Sequence, residues 1–217
     1  FGSIGPGASE SVPLLTRLLK DKHKCSSAAE ALGAIASRSA IPDLKQALEG
    51  HCPAYAAEAL WKISKAPEAL NTLAELAGSD NPQHYSRAIQ ALGQAGADAK
   101  ATEPVLLRQL ENKEGWIRAE SARALWKISQ HENVIPTLID LFRHDNRTAR
   151  FIAIEMLGSI GPKAAAVIPE LIVLLNNREE DHAHERTIVL KSLARIAPKD
   201  ERVTKALNEA LKDPSML

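Results

Sequence analysis

Internal repetition constrains the fold of this chain more than any other feature. The hexapeptide Ala-Leu-Trp-Lys-Ile-Ser occurs at 59–64 and again at 124–129, and Gly-Ser-Ile-Gly-Pro occurs at 2–6 and at 158–162. Self-similarity of this kind is the signature of repeat architectures, in which each unit buries its apolar face against its neighbours. The sequence therefore predicts a stack of similar units with one continuous core.

A leucine marks the same place in each unit and recurs at intervals of 28 to 36 residues. We call this leucine the anchor, and the six anchors are Leu32, Leu60, Leu92, Leu125, Leu157 and Leu193. Apolar side chains stand three residues before and three residues after every anchor, which is the spacing of one face of an α-helix. Each anchor is therefore predicted to lie on a helix, which we call helix B of its repeat.

A second apolar phrase precedes most of these helices, as in Val-Ile-Pro-Glu-Leu-Ile-Val-Leu-Leu at 167–175. Its early proline is tolerated in the first turn of a helix, where the missing N–H costs no hydrogen bond. This phrase predicts a helix A before each helix B. No stretch alternates with a period of two, so no sheet is predicted. The predicted helix pairs span 11–36, 41–64, 67–95, 102–129, 134–160 and 165–196, and a final helix spans 201–212.

Composition excludes several classes of protein. The chain has 27 Lys+Arg and 27 Asp+Glu, and 45% of its residues are hydrophobic, so it is neither a disordered chain nor a strongly basic nucleic-acid module. Two cysteines make no disulfide framework. No apolar run approaches the ~20 residues that cross a bilayer, and no signal peptide opens the chain. We expect no membrane partner and a cytoplasmic location.

The residues from Asn112 to Leu125, with their Asn-rich turn, Ile-Arg pair and Ala-x-Ala-Leu helix, carry a family resemblance. The chain resembles HEAT-repeat proteins, and in particular the short-repeat type named after phycobilisome lyases. The resemblance implies an all-α, right-handed α-solenoid, here of about six helix pairs plus a terminal helix in a single domain over 1–217. Residues 1–6 resemble the end of a B helix and its loop, so we expect a fragment of a longer protein or a chain that has lost an N-terminal repeat.

In HEAT solenoids the B helices line the concave face, where partners usually bind, so exposed B-helix positions are the candidates for partner binding. They include the residues two before the anchor, which are Glu30, Glu58, Gln90, Arg123, Glu155 and Lys191. The predicted partner-binding residues are Tyr55, Trp61, Lys62, Arg87, Glu120, Arg123, Trp126, Lys127, Phe151 and Ile152. Their mixed charge favours a protein or peptide partner over a phosphate backbone. The alternative is that they form a solvated helix face.

Some of these positions allow two interpretations. Trp61 and Trp126 follow their anchors directly, where other repeats carry Gly or Ala, so each indole is either a wedge between repeats or an exposed contact for a partner. Phe151 and Ile152, with Ile188 in the next repeat, form either an apolar patch near the concave face or additional core. The family resemblance also implies a ladder of Asp/Asn–Arg contacts that uses Arg118, Arg150 and Arg186.

The residues that one enzyme of related architecture uses for catalysis are absent from the corresponding positions of this sequence. Deoxyhypusine hydroxylase carries His-Glu pairs six residues before the anchor, and that activity is excluded because Ser26, Ala54, Ser86, Ala119, Phe151 and Thr187 stand there. His182-Ala183-His184-Glu185 is a weak metal motif with no partner cluster nearby in sequence. We therefore expect no catalytic, cofactor-binding or metal-binding residues.

These patterns predict a non-catalytic protein–protein interaction scaffold that binds a protein or peptide on the concave face of the B helices. The alternative is a nucleic-acid-binding protein with a groove like that of HEAT-like DNA glycosylases, and a bilin lyase-like function is less favoured. A third possibility is a structural spacer between domains of a longer chain. The chain is expected to be a monomer or part of a larger multidomain chain.

Overall fold

A computed structural model of the protein describes residues 5–79, 81–143, 146–177, 183–210 and 212. Within those ranges every regular element is helical, as predicted. The α-helices, in chain order from α1 to α13, are Val12–Leu18, Cys25–Ile35, Ile41–Ala47, Pro53–Ser64, Pro67–Ala77, Pro82–Ala95, Glu103–Gln109, Gly115–Ser129, Val134–Phe142, Arg147–Ile160, Ile168–Asn176, Ala183–Ile196 and Glu201–Ala210. The odd-numbered helices α1 to α11 are the A helices, and the even-numbered helices are the B helices, so all six predicted pairs are present.

Prolines begin most of the A helices. Pro42 is the second residue of α3 and Pro169 the second residue of α11, while Pro67 opens α5. A proline there already has the φ of a helix and gives up an N–H that has no acceptor within the helix. The position of these prolines therefore sets where each A helix starts.

The connections between repeats are of two kinds. In the short kind, a non-glycine residue ends the B helix in the left-handed region, namely Ala36, Lys65 and Gln130, with φ of 57°, 55° and 54°. In the long kind, Gly96 or Gly161 takes the positive φ and a 3-10 segment follows, at Gly96–Thr102 or Gly161–Val167. The second 3-10 segment corrects one predicted boundary, because α11 begins at Ile168 and not at 165.

The described contacts separate into two compact units. Unit 1 comprises Phe1–Gln109 with Ala124–Gln130, and unit 2 comprises Leu110–Arg123 with His131–Leu217. Helix α8 contributes its first part to unit 2 and its last part to unit 1. The single HEAT-repeat domain expected over 1–217 stays a prediction.

All six anchors are buried. Leu32, Leu60, Leu92 and Leu125 are at most 1% exposed within unit 1, and Leu157 and Leu193 are fully buried within unit 2. Burying a leucine side chain stabilises a fold by about 1.5–3 kcal/mol, so these positions carry much of the core energy. The helical period read from the sequence thus identified the core side of every B helix.

Successive B helices approach closely at the residue after the anchor. A Cβ built on Gly33 would lie 3.2 Å from Cα of Ala59, and one built on Gly93 would lie 3.1 Å from Cα of Ala124. In unit 2, a Cβ on Gly158 would lie 2.8 Å from Cα of Ser192. In each case this residue faces the residue before the next anchor. Glycine therefore allows this close approach in three repeats, whereas Trp61 and Trp126 stand at the equivalent place in two others.

One stretch, Arg147–Asn176, is long and apolar enough by composition to cross a membrane, and 61% of its most apolar window is buried. It consists of α10, the 3-10 segment from Gly161 and α11, so it is interrupted at a glycine with φ of 74°. Its apolar side chains, including Leu157 and Leu171, pack into the core of unit 2. The apolar composition of this stretch is therefore explained by two helices that contribute to the core of a repeat.

Candidate functional site on the B helices

The B-helix face of unit 1 is organised around Arg87 of α6. Its Nη2 lies 2.6 Å from Oε1 of Glu30 on α2, and its Nε forms an ion pair with Oε2 of Glu58 on α4. The guanidinium also lies over the ring of Tyr55, with Cζ 4.4 Å from the ring centroid. Glu58 accepts a further hydrogen bond from Lys62 Nζ at 2.6 Å. Five predicted surface residues from three repeats therefore form one connected cluster.

Glu58 corrects the expectation that every residue two before an anchor is exposed. Its side chain is 4% exposed, against 48% for Glu30 at the equivalent position. Two cations explain how a carboxylate can be buried here, because Arg87 and Lys62 both reach it. Four of the five cluster residues keep some exposed surface, but their charges are largely satisfied within unit 1.

The two candidate tryptophans differ in burial. Trp61 is 8% exposed, and the Lys65 ammonium lies over its ring at 3.4 Å from the centroid. The interpretation of Trp61 as an exposed contact is therefore wrong, because the indole is buried and the Lys65 cation lies over its ring. Trp126 is half-buried, and Lys127 beside it is exposed. Both remain candidates for partner contact.

In unit 2 the candidate charges are also paired. Arg123 Nη2 lies 2.9 Å from Oε2 of Glu155 on α10, and its Nη1 lies 3.6 Å from Oε1 of Glu120 on its own helix. As in the Arg87 cluster, an arginine on one B helix binds a glutamate on a neighbouring B helix. Ion pairs with this much exposure contribute about 0–1 kcal/mol each, so their main effect is to fix side-chain positions.

The apolar candidates of α10 point in different directions. Ile152 is 6% exposed and belongs to the core, so its place in a surface patch was wrongly predicted. Phe151 is 42% exposed. Phe151 and Ile188 line a cleft of about 550 Å³ together with Arg147, Glu185 and Thr187. We call this space the α10–α12 cleft.

Two arginines of the implied ladder make described contacts with other repeats or turns. Arg118 donates to the carbonyl of Asn112 at 3.0 Å and lies 3.5 Å from Asp140 of the following repeat. Arg150 binds Oε1 of Glu185 on α12 through Nη2 at 2.8 Å and Nε at 3.3 Å. The described acceptor is thus a buried glutamate of the next B helix. The role of these arginines in linking repeats holds for Arg118 and Arg150.

The weak metal motif lies partly outside what the structure describes, since the side chain of His184 is not described. His182 lies outside the described residues, and Glu185 is 1% exposed and bound to Arg150. No group of three or more His, Cys, Asp or Glu side chains that could hold a metal ion occurs in the described part of the chain.

The two cysteines are buried near each other in unit 1. Cys25 opens α2, and Cys52 precedes α4. Burial, and then a hydrogen bond with Cys25, raises the pKa of the Cys52 thiol. A thiol held in its neutral form is a poor nucleophile, so Cys52 behaves as a core residue.

Two residues of the site were not singled out from the sequence. Arg147 and Thr187 line the α10–α12 cleft beside Phe151 and Ile188. A signal for Arg147 was available, because it stands four residues before Phe151 and must share its helix face. Thr187 had no such signal, since its place depends on how α12 packs against α10.

Comparison with known proteins gives the family. The family model described as HEAT repeats matches residues 52–126, 70–150, 103–183 and 135–216, and the model described as PBS lyase HEAT-like repeat matches residues 25–50. No curated protein sequence matches the chain.

Solved structures share the fold at low identity. One is the complex of CpcE and CpcF of phycocyanin lyase from Nostoc sp. PCC7120, with 24% identity, a TM-score of 0.53, and coverage of 96% of this chain and 83% of that one. Two engineered proteins are each 22% identical, with TM-scores of 0.52 and 0.50. The alignments cover 92% of this chain in both cases, and 61% and 85% of the engineered chains.

These likenesses agree with the buried anchors and paired helices in showing an all-α solenoid. The family model also extends over most of the chain, from residue 52 to residue 216. The chain belongs to the HEAT-repeat family.

Proposed function

We propose that this protein is a non-catalytic interaction scaffold, and that a protein or peptide partner binds the B-helix face. The observation that carries the proposal is the exposure of Phe151 on α10. A phenylalanine that is 42% exposed forgoes part of the ~1.5–3 kcal/mol that burial supplies. Phe151 also lines a cleft with a second apolar residue, Ile188, so a partner could bury both at once.

Two observations support a protein or peptide partner over nucleic acid. The arginines of the B-helix face, Arg87 and Arg123, are already paired with glutamates of neighbouring helices. Binding to nucleic acid depends on cations that neutralise phosphates, and paired arginines are poorly placed to do so. The neutral overall charge points the same way. Tyr55, Trp126 and Lys127 are proposed separately, as candidate partner contacts within unit 1.

A capture experiment tests the proposal. Wild type, Phe151→Ser and Val173→Ser are immobilised and exposed to lysate of the source organism, with and without nuclease. Val173 is a matched control, because it is 71% exposed but lies on the A helix α11. We expect a protein that wild type and Val173→Ser retain and Phe151→Ser loses.

Other outcomes argue against the proposal. Nucleic acid that is retained by all three proteins and released by modest salt would favour the nucleic-acid-binding alternative. Equal retention of every bound protein by wild type and Phe151→Ser would place the binding surface elsewhere. Circular dichroism of each variant is the control that its fold is unchanged.

A further inference from the structure

An arginine without an ion-pair partner lies at the edge of the α10–α12 cleft. Arg147 opens α10 and stands one helical turn before Phe151, so the two side chains share a face about 5–6 Å apart at their Cβ atoms. Arg147 is exposed, and it makes no ion pair within the described ranges. This separates it from Arg87, Arg123 and Arg150, each of which binds a glutamate.

Besides Arg147, the described residues that line the cleft include one charged residue, Glu185. Glu185 lines the cleft, but it is 1% exposed and its Oε1 is bound by Arg150 at 2.8 Å, so its charge is offset. The first turn of α10 contains no acidic residue, and the amino end of a helix carries a partial positive charge. Arg147 therefore adds to the helix dipole, where a negative group would be stabilised.

We propose that the α10–α12 cleft binds an acidic peptide segment. The segment places a carboxylate against the Arg147 guanidinium and a large aliphatic or aromatic side chain against Phe151 and Ile188. An arginine guanidinium can donate two parallel hydrogen bonds to one carboxylate, which fixes the orientation of the contact in addition to the charge attraction. The proposal rests on the proposed function and specifies the chemistry of the partner.

The geometry limits the spacing in the peptide. Arg147 and Phe151 are one turn apart, so the carboxylate and the apolar side chain must lie within about 5–6 Å of each other. Residues two apart in an extended segment, which share a face, or residues one turn apart on a helix, meet this condition.

A peptide selection followed by affinity measurement tests the proposal. The probe is a phage-displayed library of random twelve-residue peptides, selected on the full chain. The most enriched peptide is then synthesised with a fluorescent label and measured by anisotropy. The variants are Arg147→Gln, Arg147→Glu and Phe151→Ser, and the controls are Val173→Ser and Lys199→Gln. Lys199 is an exposed lysine of unit 2 outside the residues that line the cleft.

We expect enrichment of Asp or Glu two to four residues away from Leu, Ile or Phe. Arg147→Gln should weaken binding about two- to fivefold, as for an exposed ion pair, and Arg147→Glu should weaken it further. Phe151→Ser should weaken binding about tenfold or more, as for an aromatic hot spot. The two controls should bind as wild type does, and affinity should fall as ionic strength rises.

Two results would overturn the inference, and they differ in what they mean for the proposed function. Peptides with no acidic excess, or with affinity unchanged in Arg147→Glu, would show that the cleft has no preference for carboxylates. Dependence on Phe151 would then still support a partner on this face. If no selected peptide depends on Phe151, the cleft does not bind peptides, and the capture experiment alone decides the proposed function.

Discussion

Arg87 Nη2 lies 2.6 Å from Oε1 of Glu30, a residue 57 positions earlier in the chain, and the helix between them supplies Glu58 to the same guanidinium. This contact links the B helices of three consecutive repeats. These charged residues, which the sequence suggested as partner contacts, therefore form ion pairs with one another inside unit 1. The exposed apolar residue of the B-helix face, Phe151, lies in unit 2.

Arg87→Met should destabilise the protein by about 1–3 kcal/mol, because the buried Glu58 carboxylate then keeps only Lys62 as a partner. The measurement is urea unfolding. Gln90→Met is the control, since Gln90 is an exposed residue of the same helix. The double variant Arg87→Met/Glu58→Met should regain part of the loss, because removing both charges also removes the uncompensated one. A single variant as stable as wild type would show that Glu58 does not need Arg87.

Gly158→Ala should destabilise the protein by about 1–3 kcal/mol, because the new Cβ would lie 2.8 Å from Cα of Ser192 and force α10 and α12 apart. Gly33→Ala should cost less, since its nearest contact is 3.2 Å. Gly78→Ala is the control, with its nearest contacts at 3.5 Å and an ordinary right-handed backbone. Thermal unfolding of the three variants should rank them in this order. Equal stability of Gly158→Ala and Gly78→Ala would contradict the close approach of the two helices.

Leu125→Ala should cost about 2–5 kcal/mol, because Leu125 is fully buried and its removal leaves a cavity. Repeats couple mainly to their neighbours, so chemical unfolding of this variant should also lose cooperativity and show more than one transition. Lys127→Ala on the same helix is exposed and serves as the control. An unfolding curve with the wild-type midpoint and slope would mean that Leu125 is not a core anchor.

Arg202→Gln should raise the pKa of the Asp200 carboxyl toward its ordinary value of about 3.9. The hydrogen bond from the Arg202 guanidinium, helped by the amides of Arg202 and Val203, lowers that pKa to about 2 in the wild type. A depressed pKa in the folded state means that the carboxylate stabilises the start of α13 above about pH 4. That contribution is lost as pH falls through about 2.

NMR titration of the Asp200 carboxyl carbon measures this shift, and Lys205→Gln on the same helix is the control. In Arg202→Gln the loss of stabilisation should begin at higher pH than in wild type. A pKa that stays near 2 would assign the shift to the backbone amides instead of to the guanidinium.

The local sequence determined the repeat, the helix pairs, the buried anchors and the small residue after the anchor. These features follow from the helical period and from proline and glycine preferences, which act over one or two turns. The wrong start predicted for α11 also has a local cause. The 3-10 segment Gly161–Val167 includes residue 165, where the helix was predicted to begin.

The tertiary structure decided which side chains of the B-helix face meet solvent. Phe151 and Ile152 are adjacent in sequence, yet one is 42% exposed and the other 6%. Glu58 was expected at the surface, and Trp61 was either a wedge between repeats or an exposed contact. Both are buried, with Arg87 from a later repeat against Glu58 and Lys65 from the following turn over Trp61. A helical period fixes the direction of a side chain, but the neighbour that fills the space beyond it comes from another repeat. The α10–α12 cleft places Phe151 beside Arg147, an arginine that makes no ion pair in the part of the chain that the structure describes, and it exists only once two such helices have packed together.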